Sequence, residues 1–156
     1  MNVEFINPFI SSMSNVLVTM ASLTPKANGA KLKSGDLPAG DITGFIPMSS
    51  PQAIGSLALS FSEPVILHIA ENMLGEAFTN IDDEIADLVG ELTNMVTGGA
   101  KTLLESKGFD FSMSTPIVIR GKGQKISHVG GGTNVITIPF ATERGDFYVE
   151  ICFKNK

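Results

Sequence analysis

The chain has 156 residues, of which 43% are hydrophobic and 17% charged, and 16 acidic against 11 basic residues give it a net charge of −5. This length suits a single domain, residues 1–156, which can bury roughly 70% of its unfolded surface without a disulfide or a structural metal. The acidic balance argues against a nucleic-acid partner, and the absence of an 18-residue apolar run argues against membrane insertion.

The N-terminal segment predicts a helix. Asn7-Pro8 supplies an N-cap followed by proline at the first helical position, and the helix is expected to end near Ala21. Apolar side chains recur at helical spacing at Phe9, Met13, Val16, Leu17 and Met20. Because the first basic residue is Lys26, the segment lacks the positive start of a signal peptide, and a cytoplasmic protein is expected.

Strands and a short helix follow. Residues 23–40 are rich in turn formers and predict a ragged edge strand with a loop. Two alternating segments, 41–49 and 54–61, are separated by Ser-Pro-Gln and predict a hairpin. A short helix is expected over 64–74, with Gly75 just beyond its end.

The second half repeats this order with a longer helix. Asn80 is the expected N-cap and Lys107-Gly108 the expected end, which gives a helix of roughly 27 residues. The remaining strand candidates are 109–119, 133–141 and 146–154. Together these elements predict an α+β fold, with a largely antiparallel six-stranded sheet and long helices on one face.

Short matches between the halves suggest an internal duplication. The segment 12–19 aligns with 91–98 at an offset of 79, and 55–59 aligns with 145–149 at an offset of 90. Two αβββ units related by a pseudo-twofold axis would explain both matches. Because the matches are short and degenerate, a coincidence of helix and strand patterns is the competing interpretation.

The long helix has two opposed faces. One is an apolar stripe expected to pack on the sheet, formed by Ile85, Leu88, Val89, Leu92, Val96, Gly99 and Leu103. The opposite, polar face carries Asp87, Glu91, Asn94, Gly98, Lys101 and Glu105. Glu91 and Asn94 are three residues apart, so their side chains are expected to project together from a rigid surface.

An ordinary solvated helix face is the simplest interpretation of a Glu-x-x-Asn pair. The glycines around it favour a more specific one, because Gly90, Gly98 and Gly99 each cost about 1 kcal/mol relative to alanine in a helix. Close helix packing suits Gly99 on the apolar stripe. Access for a partner suits Gly98, which presents bare backbone on the polar face.

The segment Asp87–Leu103, DLVGELTNMVTGGAKTL, resembles the signature helix of the CheC/CheX/FliY phosphatase family of bacterial chemotaxis. Shorter matches to the same family extend over most of the chain, at 7–9, 55–61, 73–76 and 138–140. A single Glu-x-x-Asn motif is typical of the CheX-like members. Asn15 occupies the equivalent position in the first helix, but Ser12 replaces the glutamate there, which implies one active site per chain.

The resemblance implies a phosphatase that hydrolyses the phosphoaspartate of a CheY-like response regulator in chemotaxis or related two-component signalling. Asn94 would orient the attacking water and Glu91 would bind a lysine of the partner. The surrounding Asp87, Gly98 and Lys101 are candidate partner-binding residues. The family also implies a homodimer, no cofactor bound by this chain, and Mg²⁺ supplied by the response regulator's own acidic pocket.

Other chemistry has little support in the sequence. His68 and His128 lie sixty residues apart and give no zinc spacing, and no Ser/His/Asp arrangement is evident. The glycine-rich segments 120–125 and 130–132 lack Walker spacing and predict loops. The chief alternative function is a non-catalytic module that binds a signalling or flagellar-switch protein through the same helix, and a purely structural homodimer is a third hypothesis.

Overall fold

The computed structural model describes residues 3–128 and 134–156, which form three helices and eight strands. In chain order these are α1 (Val3–Ala21), β1 (Lys26–Ala27), β2 (Lys31–Leu32), β3 (Ile42–Ser49), β4 (Ala53–Phe61), α2 (Glu63–Leu74), α3 (Asp83–Glu105), β5 (Ser112–Met113), β6 (Ile117–Arg120), β7 (Ile136–Thr142) and β8 (Gly145–Asn155). No helix in this part of the chain is long and apolar enough to cross a membrane. The loop predicted at 130–132 lies outside the described residues.

All strand pairings are antiparallel, and the predicted α+β class is confirmed. The sheet has eight strands in the order β1-β7-β8-β4-β3-β5, with β2 also paired to β7 and β6 also paired to β3. Six strands were expected, because the segments 23–40 and 109–119 were each counted as one. Turn residues at Asn28-Gly29 divide the first, and Pro116, which has no amide hydrogen to donate, precedes β6 in the second.

The topology has the twofold character that the internal matches suggested. Each half consists of a long helix, two short strands and two long strands. The short strands of each half pair with the third strand of the other half, β1 and β2 with β7, and β5 and β6 with β3. At the centre, β4 pairs with β8, and Leu59 lies opposite Val149, its equivalent at the offset of 90. The two halves therefore share one sheet.

The three helices cover one face of this sheet, as predicted. α1 lies beside α3, α3 packs on β3 and β4, and α2 packs on β8. Side chains alternate along the long strands, so every second residue enters the core beneath the helices. The fully buried core residues from the strands are Ile42, Ile46, Ala53, Leu57, Leu59, Phe61, Ile138, Phe140, Phe147, Val149 and Ile151.

The first helix begins earlier than the sequence predicted. Asn7-Pro8 was expected to start it, but α1 begins at Val3 and Pro8 lies inside the helix. Packing explains the extra turn. The Phe5 ring stacks on the Phe153 ring at a centroid distance of 4.8 Å, and it contacts the tilted Phe109 ring at 4.9 Å. The free energy gained by burial of the Phe5 ring outweighs the cost of the backbone hydrogen bond that Pro8 cannot donate.

The long helix is shorter than predicted. Asp82, and not Asn80, is its N-cap, because the Asp82 carboxylate accepts a hydrogen bond from the Ile85 amide at 2.9 Å. The helix ends at Glu105, after 23 residues, and spans about 35 Å. The apolar stripe is confirmed except at Leu103, which is 41% exposed, while Leu104 takes the buried position.

Candidate functional site

The polar face of α3 is held in place from below by a close contact with β3. Gly44 of β3 lies directly under Thr93, and a Cβ at this position would collide with the Thr93 hydroxyl. Thr93 is fully buried, and its hydroxyl donates to the Val89 carbonyl at 2.7 Å, which satisfies the buried polar group within the helix. α3 therefore approaches the sheet closely at the turn that carries Glu91 and Asn94.

Two lateral contacts involve the same helix. On one side, the Ser12 hydroxyl of α1 donates to the Val96 carbonyl at 2.6 Å. On the other side, Arg120 of β6 forms an ion pair with Asp83 at 2.5 Å in the first turn of α3. The Asp83 side chain is 98% exposed, so the buried Ser12 contact contributes more to the position of α3 than this ion pair does.

The two predicted catalytic side chains are available to a partner. Glu91 is exposed and Asn94 is half-buried, on adjacent turns of α3. Within residues 3–128 and 134–156, neither side chain forms a hydrogen bond or an ion pair. The carboxylate and the carboxamide therefore have no competing interaction to break before they engage another molecule.

The predicted partner-binding residues differ in their surroundings. Asp87 is exposed beside Glu91. Gly98 has open space above it, since a Cβ there would meet no atom within 4 Å. Lys101 forms ion pairs with Glu105 and, at 3.5 Å, with Asp110. The hydrogen bond to Glu105 raises the pKa of Lys101, and the charges of both acids add to the rise, so this side chain is a cation at neutral pH.

The N-terminal end of α3 has a negative electrostatic field. The pKa of Glu84 is raised above its ordinary value by desolvation first and then by the charges of Glu76, Asp82 and Asp87. Glu91 lies two turns further along the same exposed face. This end of the site is therefore complementary to a positively charged surface.

The equivalent position on α1 does not form a second site. Asn15 is exposed, but Ser12 is only 4% exposed and its hydroxyl is used in the contact with Val96. The position that would carry the carboxylate therefore faces α3 rather than solvent. This geometry agrees with the expectation of one Glu-x-x-Asn pair per chain.

A buried polar network on the opposite face of the sheet was missed by the sequence analysis. The Ser56 hydroxyl lies 2.7 Å from His128 Nδ1, and His128 Nε2 lies 3.1 Å from Glu150 Oε1. Lys33 Nζ lies 2.8 Å from Glu150 Oε2. The order resembles a Ser/His/acid triad, but Ser56 is fully buried in the middle of β4, so the network is structural.

The network was missed because its members come from four separate segments of the chain. Only Glu150 could have indicated the network from the sequence, since it is an acid between two apolar residues of a predicted strand. Among the described residues, no three His, Cys, Asp or Glu side chains are grouped as metal ligands.

The α+β fold of two similar halves agrees with the predicted elements, and one carboxylate and one carboxamide lie unengaged on the helix that carries the resemblance to the CheC/CheX/FliY phosphatases. A family model described as chemotaxis phosphatase CheX matches residues 42–141, most of the chain. The chain therefore belongs to the CheX family.

Individual relatives match this chain over nearly its whole length. A CheC-like superfamily protein from Shewanella sp. PV-4 has 51% identity and a TM-score of 0.91, with 99% of each chain covered. The CheY-P phosphatase CheX of Thermotoga maritima is 27% identical, over 97% of each chain. The CheX–CheY–BeF3–Mg²⁺ complex from Borrelia burgdorferi contains a chain with a TM-score of 0.81 and 24% identity, covering 98% of this chain and 99% of that one, a likeness of fold.

Proposed function

We propose that this chain hydrolyses the phosphoaspartate of a CheY-like response regulator, with Glu91 and Asn94 as its catalytic pair. The observation that carries the proposal is the presence of both side chains, unengaged, on one face of a helix that packs closely on β3 and is hydrogen-bonded to α1. Family membership supports it, as does the name of the Thermotoga relative, a CheY-P phosphatase.

Asn94 suits the water-positioning role. Phosphoryl transfer passes through a loose transition state that depends mainly on the alignment of the attacking water and on electrostatic stabilisation. A carboxamide can accept one hydrogen bond from water and donate another to a phosphoryl oxygen, although it is too weak a base to take a proton. Half-burial limits the rotamers of Asn94 and so favours one orientation.

Glu91 and its surroundings suit the binding of the partner. The Glu91 carboxylate would pair with a lysine of the response regulator, in the negative field that Asp87 and Glu84 strengthen. Gly98 would allow the partner's backbone to approach α3, because nothing stands above it. Lys101, whose charge is already paired with Glu105 and Asp110, would add a polar contact at the other end of the contact surface.

The Mg²⁺ required for this hydrolysis would be held by the response regulator. In the solved complex of the Borrelia relative, Mg²⁺ is present together with CheX and CheY. Acidic pockets of oxygen ligands are the usual Mg²⁺ sites in phosphoryl-transfer proteins. The proposal also places this chain in the cytoplasm, where response regulators act.

Replacement of Glu91 by alanine is expected to weaken the complex and to slow turnover together. Loss of a desolvated charge pair removes about 1 to 3 kcal/mol of binding free energy and also the alignment that the pair provides. Affinity and phosphate release would be measured with one cognate response regulator. Glu91→Gln is the matched control for side-chain size, and it should bind as weakly as Glu91→Ala if charge is what matters.

We also propose that the chain forms a homodimer in solution. β6 lies at one edge of the sheet, paired on one side with β3, and its Ile117 side chain is 58% exposed. An exposed apolar edge strand is a template for pairing with a second copy. Light scattering at micromolar concentration should give twice the 16.5 kDa chain mass, and a monomer mass would contradict the proposal.

A further inference from the structure

The contact between α1 and α3 near the proposed site depends on two small residues. Ser12 donates its hydroxyl hydrogen to the Val96 carbonyl at 2.6 Å. That carbonyl also belongs to the backbone ladder of α3, and its second lone pair can accept the serine without loss of the helical hydrogen bond. Ser12 is 4% exposed, so water does not compete for this interaction.

The absence of a side chain at Gly99 allows Ser12 to approach the backbone of α3 closely. A Cβ on Gly99 would lie well under 3.0 Å from the Ser12 hydroxyl oxygen and 3.3 Å from the Ser12 Cβ. The first of these distances is sterically forbidden, so any larger residue at position 99 must push the helices apart or displace the hydroxyl. Ser12 and Gly99 are therefore matched to each other across the helix interface.

The internal matches show how the Ser12–Gly99 pair differs from the equivalent positions in the other half of the chain. Ser12 occupies the position that the repeat aligns with Glu91, and Gly99 is aligned with Met20 of α1, which is 46% exposed. The two halves thus differ in bulk as well as in charge. One half carries the free carboxylate, whereas the other half uses the equivalent position to hold the two helices together.

We infer that Ser12, seated on Gly99, is a positioning residue for the catalytic turn of α3. Val96 is two residues from Asn94, so the hydrogen bond fixes the rotation and height of the turn that presents the carboxamide. The inference rests on the proposed phosphatase function. Displacement of a reacting group by 1 Å can reduce catalysis about 100-fold, so a small shift of α3 is sufficient to be measured.

The test compares Ser12→Ala, Gly99→Ala and the double variant in the full chain. Gly99→Ala should lower kcat more than tenfold, with the Kd for the beryllofluoride-treated cognate response regulator within about twofold of the unmodified chain. Ser12→Ala should lower kcat several-fold. The double variant should recover to the level of Ser12→Ala, because removal of the hydroxyl creates room for the new methyl group.

Gly90→Ala is the matched control on the same helix. Its Cβ would meet Val118 at 3.5 Å, an ordinary contact, so turnover should stay within about twofold of the unmodified chain. Normal kcat in Gly99→Ala would overturn the inference, and so would a double variant no better than Gly99→Ala.

Amide hydrogen exchange separates this inference from the proposed function. Residues 96–100 should exchange faster in both single variants, fastest in Gly99→Ala, and the double variant should return to the level of Ser12→Ala, whether or not the chain is a phosphatase. If the unmodified chain does not accelerate phosphoaspartate decay but exchange follows this pattern, the proposed function fails and the helix contact stands. Unchanged exchange in both single variants would refute the contact itself.

Discussion

Replacement of Asn94 by alanine is expected to reduce turnover of the phosphorylated response regulator by about 100-fold or more, because the group that aligns the attacking water is lost. The affinity for the partner should change less than about threefold, since the truncation removes little contact surface. Stability should barely change, because the Asn94 side chain has no hydrogen bond to the described residues. Single-turnover phosphate release and equilibrium binding would measure the two effects separately.

Asn15→Ala is the control for this variant. Asn15 is the same residue type on the exposed face of the neighbouring helix, but Ser12 leaves it without a carboxylate partner. Its removal should leave turnover nearly normal. If Asn94→Ala also retains near-normal turnover, the proposed chemistry is wrong and the interaction-module hypothesis replaces it.

The largest loss of stability is expected from Glu150→Ala, on the side of the sheet away from the site. Glu150 is completely buried and is paired with Lys33 and His128, whose side chains are 8% and 2% exposed. Lys33 Nζ has no hydrogen bond to any described residue and depends on the nearby carboxylate for compensation. Removal of one partner from a buried ion pair costs about 3 to 5 kcal/mol, a large part of a typical domain's stability.

Urea unfolding of Glu150→Ala and Asp36→Ala would test this expectation. Asp36 pairs with Lys125 at 3.7 Å on the surface, with both side chains more than half exposed, so its loss should cost less than about 1 kcal/mol. The midpoint of Glu150→Ala should fall well below that of Asp36→Ala. Similar midpoints for the two variants would show that the buried network contributes little.

The elements nearest the site could be predicted because their signals are local. Glu91 and Asn94 share a face of α3 by helical spacing alone, and the alternating segments became β3, β4, β7 and β8 within a few residues of the expected bounds. The open position at Gly98 followed from its place on the polar face. Gly99 was assigned to close helix packing, which the contact with Ser12 confirms.

The features that could not be predicted depend on residues distant in the sequence. Pro8 lies within α1 because Phe5 is held by rings from β8 and the segment after α3, a contact that no local rule contains. The exchange of short strands between the halves is a property of the sheet, not of either half. Glu150 meets its partners Lys33 and His128 only because segments 33–40 and 126–128 fold over the sheet face opposite the helices.

Turnover distinguishes a phosphatase from a protein that only binds the response regulator. The most direct test is the decay of a phosphorylated cognate response regulator present in about tenfold excess over the chain, with Mg²⁺ in the buffer and Asn94→Ala measured in parallel. A catalyst releases phosphate from the whole pool at a rate proportional to the concentration of the chain. We predict this result for the unmodified chain, and a rate lower by about 100-fold or more for Asn94→Ala. A complex that forms while the phosphoaspartate decays at its own intrinsic rate would contradict it.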